Sequence, residues 1–191
     1  MVSIEAGAVH NPFTIIALIS VLRMAATAAT DLNQTSLLQA FVRLLLGGDE
    51  IIDSEELGMD YRRRVHLLGE LAHRVHATED KSILVQEVEA FLLEYFKTKA
   101  LQVSAGQVLR SLIDRGILVE RNDRISFRHP ALLNLFLAEW MLAKAETDRM
   151  EEMLSDCRAN AGAIVHAAAI RRDENLLLER VGISHTASSR R

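Results

Sequence analysis

The chain has 191 residues, 49% of them hydrophobic, with 22 Lys and Arg against 26 Asp and Glu for a formal charge of −4. That composition is too apolar for disorder, and it gives the chain as a whole no electrostatic pull towards nucleic acid or an anionic membrane surface. The single cysteine, Cys157, rules out a disulfide within the chain and predicts a cytoplasmic protein in which Cys157 is a small buried side chain on a helix.

The apolar stretch Phe13–Met24 is too short to span a membrane, contains Arg23 and has no charged region before it. It predicts a buried helix that opens at Asn11-Pro12 and runs to about Ala28. A second helix starts at Leu32-Asn33-Gln34, with Leu37, Leu38, Phe41, Leu44 and Leu45 on its buried side. Gly47-Gly48 breaks it, and the acidic residues 49–60 read as a loop or short turn.

From Tyr61 the pattern becomes denser. Val65–Ala72 is amphipathic, and Ser82–Phe96 predicts another helix with Val85, Val88, Phe91, Leu92 and Phe96 on one side. Ser104 is a good N-cap for a helix over 104–115, whose stripe is Val108, Leu109, Leu112 and Ile113. Gly116 ends that helix as a left-handed glycine does. Ile117–Glu120 and Arg124–Phe127 then read as two strands around a turn at Asn122-Asp123. Pro130 suits the first turn of a helix, and Leu132, Leu133, Phe136, Leu137, Trp140 and Met141 give that helix a dense apolar face. Residues 148–157 and 159–170 predict a further helical pair, 174–180 a last helix, and 184–191 a polar tail.

The expected fold is therefore mostly α: a helical subdomain at 1–60, a winged-helix domain with one small β-hairpin at 61–147, and at 148–191 a helical extension with the tail. Helix, helix, helix, strand, strand, helix is winged-helix order.

Few motifs carry chemistry. None of the nine glycines is followed by lysine, so the phosphate-cradling GxxxxGK[ST] loop is absent and the chain by itself is expected not to be an enzyme. No HExxH and no GxSxG occurs. His66, His73 and His76 can share a helix face, but no carboxylate or thiol completes a metal set by spacing. Arg62-Arg63-Arg64 reads first as a solvated basic face and second as an anion contact. Arg121, Arg124 and Arg128 flank the wing, where a DNA-binding winged helix touches phosphate. The helix before the wing, however, sets Arg110 and Arg115 against Asp114 and lacks residues suited to base edges.

His10-Asn11-Pro12-Phe13, then Leu37–Val42, then a segment ending SFRHPALLNLFLAEWML resembles the region after the ATPase core in STAND NTPases of the NACHT type. The resemblance covers roughly residues 8–147. It implies signalling by a switch between an ADP-bound closed state and an ATP-bound oligomer. It implies that Asn11 and Pro12 pack near adenine, with His10 where the family has glycine, and that His129 contacts the β-phosphate of ADP. Pro130 departs from the aspartate of the family's Met-His-Asp form. The implied partners are an ATPase core upstream of residue 1, on the same or a separate chain, and a downstream sensor region, with oligomerisation when complete. ADP or ATP would be held only with that core; no cofactor is expected on the chain alone. Bacterial relatives of this kind serve in defence signalling. His129 lies at a strand–helix junction, so its loss from the chain alone is expected to leave the fold nearly unchanged. The alternative is a winged-helix DNA-binding transcriptional regulator, against which the charge balance argues.

Overall fold

The computed structural model describes residues 33–47, 59–143 and 157–171, and these hold six helices and three short strands. Five predicted features lie outside the described residues: the helix at 11–28 with Asn11 and Pro12, most of the acidic stretch, all but the last residue of the helix at 148–157, the helix at 174–180 and the polar tail at 184–191.

Helix α1 spans Gln34–Leu45 and is capped by Asn33, whose side chain accepts from the Ser36 N–H at 2.7 Å. Leu37, Leu38, Phe41 and Val42 are buried, whereas Leu44, expected inside, is 39% exposed. The buried stripe turns one residue towards Val42 because α1 packs on two helices at once. α2, Tyr61–His76, is capped by Asp60, which accepts from the Arg63 N–H. Its apolar stripe of Leu67, Leu68, Leu71, Ala72 and Val75 is almost fully enclosed.

The segment predicted as helix from Ser82 begins instead with a strand, β1 at Ile83–Leu84, and only then becomes helix α3 at Val85–Thr98. Ile83 pairs with Ile125, so the expected hairpin gains a third strand. A two-residue strand has no periodicity of its own, and only the facing edge of another strand defines it. α4, Ala105–Asp114, starts at Ser104 and ends before Gly116, which adopts φ +75°. β2, Leu118–Arg121, and β3, Arg124–Phe127, pair antiparallel with Leu118 opposite Phe127. Asn122 and Asp123 both have positive φ, 51° and 59°, the backbone of the tight two-residue turn that suits twisted strands. The sheet order is β1-β3-β2.

α5 runs Pro130–Ala143 and is buried nearly all round: beyond the predicted face, Leu135, Ala138 and Leu142 are also enclosed. A helix without a polar side must be surrounded, and α5 packs against α1, α2, β3 and α6 (Ala161–Ile170). Two glycines permit the closest crossings. A Cβ on Gly69 of α2 would sit 3.3 Å from both the Phe136 carbonyl and Trp140 Cβ, and one on Gly162 of α6 would sit 2.3 Å from Asn134 Nδ2. Residues 157–160 form a turn that leads into α6, and Cys157 in it is exposed, contrary to expectation. Among the described residues no helix is long and apolar enough to cross a membrane.

Candidate functional site

His129 occupies the position between β3 and α5. Its Nδ1 lies 3.2 Å from the amide nitrogen of Ala131, so the ring accepts the N–H of the second helical residue. Its carbonyl accepts from Leu132 at 3.0 Å and from Leu133 at 3.4 Å. Pro130 has no N–H to satisfy. His129 is thus the N-cap of α5, in a role usually filled by Asn, Asp or Ser. The ring thus takes part in the first turn of the core helix, a local contact the sequence reading did not foresee. The hydrogen bond also fixes the ring's chemistry. An Nδ1 that accepts is unprotonated, so in the neutral ring the proton sits on Nε2, which is a donor. Burial holds the His129 pKa below its usual value of 6.5.

A separate cavity lies elsewhere in the fold. It measures about 620 Å³ and lies between α1, α2 and the C-terminal end of α5, with Arg43, Tyr61, Arg62, His66 and Glu139 on its walls. Glu139 accepts from the Gln39 side-chain amide at 3.1 Å across it, and Arg43 sits over the Tyr61 ring at 5.8 Å. Burial and Glu139 together push the Tyr61 pKa up, so its hydroxyl stays protonated. Glu139 is ten residues along α5 from His129, and at 1.5 Å per residue the two are about 15 Å apart along the axis. The structure therefore does not bring His129 and the cavity into one site. Asn11 and Pro12, the other two residues the resemblance assigns to nucleotide, lie outside the described residues.

The basic run resolves into three environments. Arg64 is 4% exposed; its guanidinium donates to the carbonyls of Met59 and Leu46 and closes the C-terminal end of α1, which corrects the reading of the whole run as a solvated face. Arg115 from α4 donates to the neighbouring Leu45 carbonyl at 2.9 Å. Two arginines thus satisfy the carbonyls that end α1. Arg63 pairs with Asp60, and Arg62 is exposed between two cavities. Of the arginines around the β2–β3 hairpin, Arg124 is engaged by its neighbours: it donates to Ser82 Oγ at 2.7 Å and pairs with Asp80 at 2.9 Å. That network holds the Asp80 carboxyl below its usual pKa, the Ser82 hydroxyl being the largest cause. Arg128 lies along Gly116.

Two of the histidines on α2 make ring or hydrogen-bond contacts across helices. His73 stacks on Trp140 with ring centroids 3.9 Å apart, while the indole N–H donates to Glu70 at 3.1 Å. His66 Nδ1 is 3.0 Å from the Tyr95 hydroxyl. No group of three or more metal-ligating side chains occurs among the described residues.

Sequence reasoning missed one buried polar pair. Thr35 Oγ1 of α1 and His166 Nδ1 of α6 lie 2.8 Å apart, with 4% and 7% exposure. Burial depresses the His166 pKa. The available signal was His166 itself, a lone polar residue in the Ala-rich segment AGAIVHAAAI.

Residues 81–137 match the family model described as Novel STAND NTPase 4. The matched segment runs from just before β1 into α5 and includes His129. Over that segment the chain is related to STAND-type NTPases. No curated protein and no solved structure matches the chain.

Proposed function

We propose that this chain is the helical and winged-helix region of a STAND-type signalling NTPase, of the NACHT kind, that senses the state of a bound nucleotide without hydrolysing it. The observation that carries the reading is the family match over 81–137. The element order α2, β1, α3, α4, β2, β3, with the sheet ordered β1-β3-β2, supports it as a winged-helix arrangement. In this reading His129 favours the ADP-bound closed state. The capping bond puts the ring proton on Nε2, where it can be donated to a phosphate oxygen in a charge-assisted hydrogen bond. The backbone N–H groups of Ala131, Leu132 and Leu133 already have acceptors within the turn, so the contact falls to the ring. Opening the domain away from an ATPase core would break it. ADP or ATP is bound only together with that core, a downstream region supplies the signal, and the assembled protein oligomerises in the cytoplasm as part of a defence response.

The test is ADP release from the chain assembled with a STAND-type ATPase core. His129→Asn keeps an acceptor at the δ position for the Ala131 N–H and removes the Nε2 donor. A hydrogen bond to a charged group contributes about 1.5–3 kcal/mol, so ADP should leave roughly 10–150-fold faster. An unchanged release rate would show that His129 serves α5 alone.

A further inference from the structure

A second cavity, about 300 Å³, opens between the start of α2 and the end of α3. It is at the lower end of the roughly 300–1,000 Å³ range of small-molecule sites. Arg62, Arg63, Lys99, His66 and Tyr95 line it, with Leu101 as its apolar wall and Asp60 as its one carboxylate. Three permanent cations thus face a single anion. That anion is committed: Asp60 accepts from the Arg63 amide at 2.8 Å and lies 3.7 Å from the Arg63 guanidinium. Glu70, which also acts on the Tyr95 hydroxyl, accepts from the Trp140 indole.

The hydrogen-bonding side chains are arranged for an acceptor-rich guest. Burial and the carboxylates Glu70 and Asp60 push the Tyr95 pKa up, against Arg63, so its hydroxyl keeps its proton. The Tyr95 hydroxyl and His66 Nδ1 lie 3.0 Å apart, which fixes both rings at the cavity wall. Lys99 reaches the cavity through the turn that ends α3. There Ala100 adopts φ 52°, a left-handed conformation uncommon without glycine, and the Leu101 N–H returns to the Phe96 carbonyl at 2.8 Å. Arg62 and His66 are common to this cavity and the larger one beside it, so a guest anchored here by an anion has an adjoining space for an organic portion.

We propose that this cavity is a binding site for a small phosphate-bearing molecule, with Arg62 and Lys99 as its principal anion contacts. The site is separate from His129, which lies at the opposite end of α5 from the larger cavity. It requires no ATPase core, and its ligand is a regulatory metabolite rather than the nucleotide of the proposed switch.

The probe is inorganic pyrophosphate, titrated into the full chain at low and constant ionic strength, with calorimetry and the chemical shifts of the His66 and Tyr95 rings as readouts. Both substitutions fall on exposed side chains, so the fold should persist. Saturable binding should weaken about tenfold or more in Arg62→Gln and in Lys99→Gln. It should be unchanged in Arg110→Gln, an exposed cation on α4, and in His129→Asn. Absence of saturable binding would overturn the proposal, as would equal weakening by Arg110→Gln, which would mean general charge screening. Loss in His129→Asn with retention in Arg62→Gln would place the anion at the proposed nucleotide contact and also overturn it. Failure of the ADP-release experiment leaves this result unaffected, so the two readings stand or fall separately.

Discussion

Replacing His129 by alanine in the chain alone removes one acceptor from the first turn of α5 and nothing from the core. An N-cap side chain contributes about 0.5–2 kcal/mol. The helix it starts is the one most enclosed by the fold, so its fraying must disturb packing as well as the turn itself. We expect His129→Ala to lose about 1 kcal/mol, a fall of roughly 2–4 °C in Tm for a chain of this size. His129→Asn should retain most of the stability. The pH dependence gives an independent check. The folded pKa of His129 is held below the unfolded value of 6.5 by burial, so the unfolded chain binds the proton more readily. The capping contribution is full above about pH 6.5 and is lost as pH falls through the folded pKa, because a protonated Nδ1 donates and cannot accept from Ala131. The stability gap between the wild-type and alanine chains should narrow from pH 7.5 to pH 5, while the asparagine chain keeps its cap. Urea unfolding followed by circular dichroism at both pH values measures all three. An alanine chain as stable as wild type at pH 7.5 would refute the capping argument, and so would a gap that widens in acid.

Thr35→Val preserves shape but strips the hydroxyl from buried His166, and should cost about 1–3 kcal/mol. Because burial also depresses the His166 pKa, stability around His166 should be lost as pH falls below about 6.5, seen as faster hydrogen exchange in α6. Gly162→Ala places a Cβ where Asn134 now sits and should cost about 1–3 kcal/mol by overpacking, read from thermal melts.

The helices were legible in the sequence because their apolar stripes recur at 3.6 residues, as in Tyr61–His76, or because caps and stops frame a shorter stripe, as in Ala105–Asp114 with its Ser104 cap and Gly116 stop. The β2–β3 turn was legible for a different reason: Asn and Asp tolerate the left-handed backbone that such a turn demands. β1 was not legible. Ile83 and Leu84 sit in front of a helix whose own pattern extends back over them, and only Ile125 and Arg124 opposite them make a strand. Arg64 was hidden by its neighbours, since a run of three arginines gives no sign that one of them turns inward to close α1. For the site, the position of His129 was legible but its local duty was not. A histidine before a helix-starting proline carries no cap signature comparable to Asn, Asp or Ser. The cavities were invisible because each joins residues from helices far apart in the chain, such as Asp60 with Tyr95 and Arg43 with Glu139.

If the proposed function holds, α5 is the element through which a change at His129 would act on the rest of the fold. The helix is rigid by enclosure, with Leu132, Leu137 and Ala138 fully buried, so a displacement of its N-terminal end cannot be absorbed by local repacking. Its N-terminal end is tied to β3 through His129. Its C-terminal half meets α2 at Gly69 and Trp140, α1 through the Gln39–Glu139 bond, and α6 through the Arg171 contact to the Leu142 carbonyl. A nucleotide phosphate that holds or releases His129 would therefore act on the same rigid body that positions α1 and α6. The Thr35–His166 bond joins those two helices directly, without passing through α5. Coupling of this kind needs two discrete arrangements of α5 and its neighbours, and both ligand states must bias them. The Thr35→Val chain bears on that point as well as on stability: if α5 transmits the signal, loosening α1 from α6 should alter ADP release in the assembled protein even though neither residue lies near His129's turn.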